Sequence, residues 1–221
     1  MARLFMFDAY GTLFDVHAAV ARAGAALGPD RDAVSQAWRA KQLEYTWTLT
    51  LMGESAGVDF EILTARALDF VLEKFGAQDT ALRQGLLEAY RRLDAFGDVA
   101  PALGALKDAG HATAIFTNGT RAMVDAAIAA SGIAPLLDHV ITVEPTGRFK
   151  PHPEVYAHAR HEAGNPAARD IVFVSSNRWD VAGAAAAGFT PVWVNRTAQP
   201  DEYPGLGPVK TLPGLSEIGR I

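Results

Sequence analysis

The chain has 221 residues, 49% of them hydrophobic and 20% charged, with a net charge of −5. That suits one soluble globular domain or a domain carrying an inserted subdomain, and it lacks the basic excess that nucleic-acid or anionic-membrane partners demand, so neither is expected. No cysteine is present, which excludes disulfides, thiolate metal sites and a cysteine nucleophile and fits a cytoplasmic location.

The first predicted element is a buried strand over Leu4 to Phe7 that ends at Asp8. This run is too short for a secretory leader, and no apolar segment approaches the ~20 residues that cross a membrane. From about Asp15 to Phe96 no strand pattern occurs. Four helices are expected there, roughly 16–27, 31–52, 59–75 and 79–95, punctuated by Gly28-Pro29-Asp30, Gly53 to Gly57 and Gly76-Ala77. Strands then alternate with helices. The strands are Ala112 to Phe116, Val140 to Val143, Ile171 to Val174 and Pro191 to Val194, each short and rich in branched or aromatic residues. The helices are Ala100 to Ala109, Thr120 to Ala130, Glu154 to Ala163 and Trp179 to Ala187. The proline-bearing tail after Ala198 is read as irregular. Alternation of this kind predicts right-handed βαβ units and a parallel sheet. The expected class is α/β: a Rossmann-like core over 1–14 and 98–221, with an all-helical cap over 15–97.

Polar residues crowd the strand ends: Asp8-Ala9-Tyr10-Gly11-Thr12, Thr117-Asn118-Gly119, Arg148-Phe149-Lys150-Pro151, and Ser175-Ser176-Asn177-Arg178-Trp179-Asp180. Any one of these is explained by turn and capping chemistry. Four at successive strand ends predict a single crevice, because ligands of parallel sheets bind at the carboxyl ends of the strands.

These segments resemble the four motifs of the haloacid dehalogenase superfamily, in order and across nearly the whole chain. The stretch Trp38 to Trp47, with Arg39 near its start, is similar to the cap helix of the L-2-haloacid dehalogenases, which makes that the nearest family. The resemblance implies Asp8 as nucleophile and Arg39 and Asn118 as halide binders. It implies Thr12, Lys150, Ser175, Asn177 and Asp180 as supporting catalytic groups, and places Thr117 and Tyr156 beside the substrate. It also implies a small 2-haloacid substrate, no cofactor, and a homodimer.

The residues themselves agree with that reading. Superfamily phosphatases carry a second aspartate two positions after the nucleophile to protonate the departing alkoxide; here Tyr10 stands there. A halide leaves as a stable anion and needs no proton. A magnesium site wants several carboxylates, and Asn177 is neutral. Covalent catalysis follows: Asp8 displaces halide from C2 with inversion, and water then hydrolyses the ester at the Asp8 carbonyl carbon. Asp180 is the candidate for activating that water. Arg39, Leu43 and Trp47 share one helix face, and Tyr10, Leu43, Phe60 and Trp179 are expected to wall the substrate's side chain. Among the six histidines only His158 and His161 have a metal-like spacing, on a helix face expected to be exposed, so no metal is expected. Two other readings stay open from sequence: a magnesium-dependent phosphatase or phosphonate hydrolase on the same fold, and a catalytically silent binding protein.

Overall fold

The computed structural model describes residues 2–221. Six parallel strands form one sheet: β1 (Leu4–Phe7), β2 (Ala112–Thr117), β3 (His139–Thr142), β4 (Ile171–Ser175), β5 (Thr190–Val194) and β6 (Lys210–Leu212), in the spatial order β3-β2-β1-β4-β5-β6. β1 is central, paired with β2 on one side and β4 on the other. All four of its residues are buried, which explains a continuous apolar run rather than an alternating one. The chain winds outward from β1 in both directions. The carboxyl end of β1 is therefore the switch point where such sheets open a crevice.

Between β1 and β2 lie α1 (Ala18–Ala23), α2 (Arg31–Met52), α3 (Phe60–Lys74), α4 (Thr80–Arg91) and α5 (Val99–Asp108). The first four pack on one another, α1 against α4 and α2 against α3. Their segment is closed at its base. Asp15 N donates to Asp94 O at 2.9 Å and Phe96 N to Leu13 O at 3.0 Å, so the outgoing and returning strands of chain run side by side. Asp59 and Asp79 start α3 and α4 by accepting from Ile62 N and Leu82 N, at 2.8 and 2.6 Å. Beyond β2 come α6 (Arg121–Ser131), α7 (Pro153–Glu162) and α8 (Arg178–Ala186).

Three expectations are corrected. The helix read over 16–27 is a single short turn-and-a-half, Ala18–Ala23, followed by 3-10 structure over Ala25–Asp30. The cause is Gly28, which adopts a left-handed φ of 53° just before Pro29. The last cap helix stops at Arg91, because the chain must straighten to reach the base pairing at Asp94. The tail is not wholly irregular: Lys210–Leu212 adds an edge strand and Leu215–Arg220 a 3-10 segment. No helix is long and apolar enough to cross a membrane among the described residues.

Candidate active site

Asp8 follows β1 directly and is 5% exposed. Its two carboxylate oxygens differ. Oδ2 accepts from Thr12 Oγ1 and from Asn177 Nδ2, both at 2.8 Å. Oδ1 accepts only from Lys150 Nζ, at 3.3 Å. The Lys150 side chain is fully buried and its ammonium also donates to Asp180 Oδ2 at 2.9 Å and to Phe116 O at 2.7 Å. It lies 4.1 Å from the centroid of the Phe116 ring. One cation thus sits between two carboxylates in a buried place.

That arrangement sets the behaviour of Asp180. Burial pushes its pKa up, the Lys150 ammonium pulls it down and the Asp8 carboxylate pushes it up again, with the result at about 6. The Tyr156 hydroxyl donates to Asp180 Oδ1 at 2.6 Å. Burial first, then the charge of Asp180, holds that phenol well above its usual value, so it remains a donor at neutral pH.

The first turn after β1 is held from the β4 side. Ser176 N donates to Thr12 Oγ1 at 2.8 Å and Ser176 Oγ to Gly11 O at 2.6 Å. Asn177 Nδ2 also reaches Tyr10 O, at 3.2 Å. From α2, Arg39 Nη2 donates to Tyr10 O at 3.1 Å and to Asn177 Oδ1 at 3.2 Å. These two bonds join the helical segment to the turn that carries the nucleophile candidate.

Aromatic rings close the other side. Tyr10 stacks on Tyr90 at 5.7 Å and meets Phe60 at 5.8 Å. Gly119 makes room for Tyr10: a Cβ there would lie 2.6 Å from its ring carbon Cε2. Trp179 meets Trp47 edge to face at 5.5 Å, while Leu43 is half-buried on α2 one turn beyond Arg39.

The residues singled out in the sequence are placed unequally. Asp8, Thr12, Lys150, Asn177, Asp180 and Tyr156 form one connected hydrogen-bonded network, and Arg39 joins it through Asn177. Asn118 lies beside it, its Oδ1 accepting from Lys150 N at 2.9 Å. Thr117 and Ser175 are fully buried, and each hydroxyl accepts from the backbone N–H two residues on, Gly119 at 3.0 Å and Asn177 at 3.1 Å. The substrate-facing position expected for Tyr156 is corrected: the residue is fully buried behind Asp180, and its hydroxyl acts on that carboxylate.

Three further residues were not anticipated as parts of the site. Ser176 orients Thr12, as described. Arg196 donates to Thr12 O at 3.2 Å while paired to Asp98 at 2.8 and 2.9 Å. Arg178, next to Asn177, is 4% exposed and donates to Asp201 Oδ1 at 2.7 Å and Tyr203 O at 2.9 Å. A signal for Arg196 existed in its place two residues after β5, another strand end. Arg178 and Ser176 stood within the polar cluster after β4, but nothing in the sequence separated them from its other members. No group of three or more histidine, aspartate or glutamate residues is disposed to hold a metal ion among the described residues.

Residues 2–188 match the family model of the haloacid dehalogenase-like hydrolases. The chain is 43% identical over 220 residues to (S)-2-haloacid dehalogenase 1 of Pseudomonas sp. (strain CBS-3), covering 99% of this chain and 96% of that one. Its fold matches the crystal structure of a dehalogenase with a TM-score of 0.94 at 40% identity, over 98% of this chain and 95% of the other. It also matches L-2-haloacid dehalogenase of Xanthobacter autotrophicus with chloropropionic acid covalently bound: TM-score 0.88, 33% identity, 100% and 98% covered.

Proposed function

The chain belongs to the haloacid dehalogenase-like hydrolases, and from that premise we propose that it hydrolyses short L-2-haloalkanoic acids to D-2-hydroxyalkanoic acids through an ester on Asp8. The observation that carries this is the unequal treatment of the Asp8 oxygens. Oδ2 is fixed by two donors, whereas Oδ1 has a single long contact to Lys150. The less encumbered oxygen keeps a lone pair for attack, with the Lys150 ammonium beside it.

Oδ1 attacks C2 from the face opposite the halogen. A C–O bond forms, the C–halogen bond breaks, and its electron pair leaves with the halide, which Arg39 and Asn118 receive. Water then adds to the Asp8 carbonyl carbon, its proton passing to Asp180; the acyl C–O bond breaks, Asp180 returns that proton to the departing C2 alkoxide to free the hydroxyacid, and Asp8 releases its own proton to solvent as the carboxylate is restored. The C2–O bond survives, so the configuration stays inverted. Asp180 near 6 is matched to taking a proton at neutral pH. Thr12 and Asn177 hold the carboxyl group during both steps, and Thr117 and Ser175 keep the turns that present Asn118 and Asn177. Tyr10, Leu43, Phe60 and Trp179 wall the alkyl side, a setting that sheds water.

Residues 15–97 serve as the cap over a catalytic core of 1–14 and 98–221. The protein works in the cytoplasm as a homodimer, with exposed Leu51, Met52, Ile62 and Phe70 on α2 and α3 offering apolar surface to a second copy; light scattering at twice 23.6 kDa checks this. A magnesium-dependent phosphatase is disfavoured by Lys150 between the two carboxylates and by Tyr10 at the acid's position.

The test is halide release from L- and D-2-chloropropionate, with and without EDTA. Release from the L form alone, unchanged by EDTA and absent in Asp8→Ala, is the expected result. Magnesium-dependent hydrolysis of a phosphate ester with no halide release would replace the proposal.

A further inference from the structure

Asp8 and the Lys150 ammonium lie out of contact with bulk water, so an anionic substrate needs a path to them and the halide a path away. Two cavities meet residues of the site. One lies at the seam between segment 55–60, which links α2 to α3, and segment 143–149 of the core. It measures about 250 Å³, and Phe60 and Asn118 are part of its lining. The other is a groove of about 550 Å³ lined by Trp47, Leu51, Pro151, Trp179 and Leu206, touching Lys150.

The chemistry of the two differs. In the groove the only charged side chain is Lys150, whose ammonium is already spent on Asp8, Asp180 and Phe116 O. Thr50, His152 and Tyr203 are the groove's other polar side chains, and the rest of the wall is apolar, so an anion would shed most of its water there with few donors to replace it. The seam cavity has a mixed wall. Arg148 gives a guanidinium, the Ser55 hydroxyl donates to Gly147 O, and Val58 and Phe149 give apolar surface. Two acids also line it, and both are engaged: Asp59 caps α3, and Glu144 accepts from Arg121 N and Thr142 Oγ1. Arg148 is paired with Glu154 at 2.8 Å but keeps about a third of its side chain exposed. Asn118, assigned above to the departing halide, is part of this wall. Two hydrogen bonds bridge the seam, Ser55 Oγ to Gly147 O at 2.6 Å and Phe149 N to Thr50 Oγ1 at 3.1 Å. Both link the cap segment to one turn of the core, and neither uses an atom of the Asp8 network.

We propose that this seam cavity is the passage by which the haloacid reaches Asp8 and the halide leaves, with Val58 and Arg148 as its opposed walls. The inference rests on the dehalogenase reading. It assigns a role to segment 53–59, which carries no part of the chemistry.

The absence of cysteine permits a direct test. Val58→Cys places one thiol in the seam cavity, and Leu206→Cys places one in the groove. Each is labelled with methanethiosulfonates of similar size and opposite charge, and halide release from L-2-chloropropionate is followed. Wild-type release is measured first; its failure would remove the dehalogenase reading and this inference together. With wild type active, the anionic label on Val58→Cys is expected to lower kcat/KM by about tenfold or more, the cationic label by less, and dithiothreitol to restore it. The labelled Leu206→Cys protein is expected to stay within about twofold of its unlabelled form. Should Val58→Cys fail to fold, Arg148→Cys on the opposite wall carries the same comparison. Full activity of the labelled seam variant, or equal loss from the groove label, overturns the proposal.

Discussion

On the core side of the site, Asp8, Thr12 and Asn177 follow the ends of the buried strands β1 and β4, Lys150 comes from the loop before α7 and Asp180 from the first turn of α8, and the five bond to one another. On the cap side, Arg39 reaches across with two hydrogen bonds, and Phe60, Leu43 and Trp47 offer only surface. The core groups are over-determined: each has partners that fix it before substrate arrives, the condition for electrostatic help without reorganisation. The cap groups are tied to the core at few points. Under the proposed function, bond making falls to the core, leaving-group acceptance is shared by Asn118 of the core and Arg39 of the cap, and selection falls to the cap.

The largest effect expected is from Lys150→Met. It leaves two buried carboxylates facing each other with no cation, at a cost of roughly 3–5 kcal/mol. Activity falls by about 10³-fold, and Asp180 moves above 6 because the group that lowers it is gone. Urea unfolding and halide release read the two effects; a stable, active variant would break the assignment of charge balance to the core. Arg39→Gln is expected to cost about 10²-fold in kcat for chloride release with little loss of stability, since the guanidinium is only half-buried. Equal loss of stability would make Arg39 a structural link rather than a halide acceptor.

The pH dependence sharpens the same contrast. A native value near 6 for Asp180, against 3.8 as the ordinary value, means that the folded chain binds the extra proton between those limits. This group's contribution to stability therefore falls as pH rises from roughly 4 to 6, while activity rises through about 6 as the base ionises. Asp180→Asn is expected to remove that part of the stability slope in denaturation measured across the window. The smallest effect belongs to Tyr156→Phe. Loss of its bond to Asp180 costs about 1.5–3 kcal/mol and moves the acid limb of the activity profile upward, with kcat at high pH nearly kept. A raised KM with an unmoved limb would return Tyr156 to the substrate.

Much of this was legible before any coordinates. The strands carrying Asp8, Asn118 and Asn177 stand out because a central parallel strand is buried on both faces and reads as a continuous apolar run. The bounds of α2 were readable from Asp30 and Gly53, which flank it. β6 was not, because Lys210-Thr211-Leu212 is a three-residue edge strand with two exposed residues. Tyr156 shows a different limit. Helical spacing brings it back toward the site, but spacing does not tell which of two neighbouring buried groups its hydroxyl meets. Arg196 and Ser176 were missed because their work is done on Thr12, a partner visible only once β4 and β5 lie beside β1.

The buried guanidinium of Arg178 ties the end of the chain to the reaction. Its acceptors, Asp201 and Tyr203 O, belong to the last tenth of the sequence, and its backbone neighbour is Asn177. A chain trimmed before Asp201 would strand a positive charge under α8, one residue from the amide that holds Asp8. Engineers who shorten or fuse this protein at its carboxyl end would thus be editing the support of Asp8, although the cut lies almost two hundred residues away in sequence.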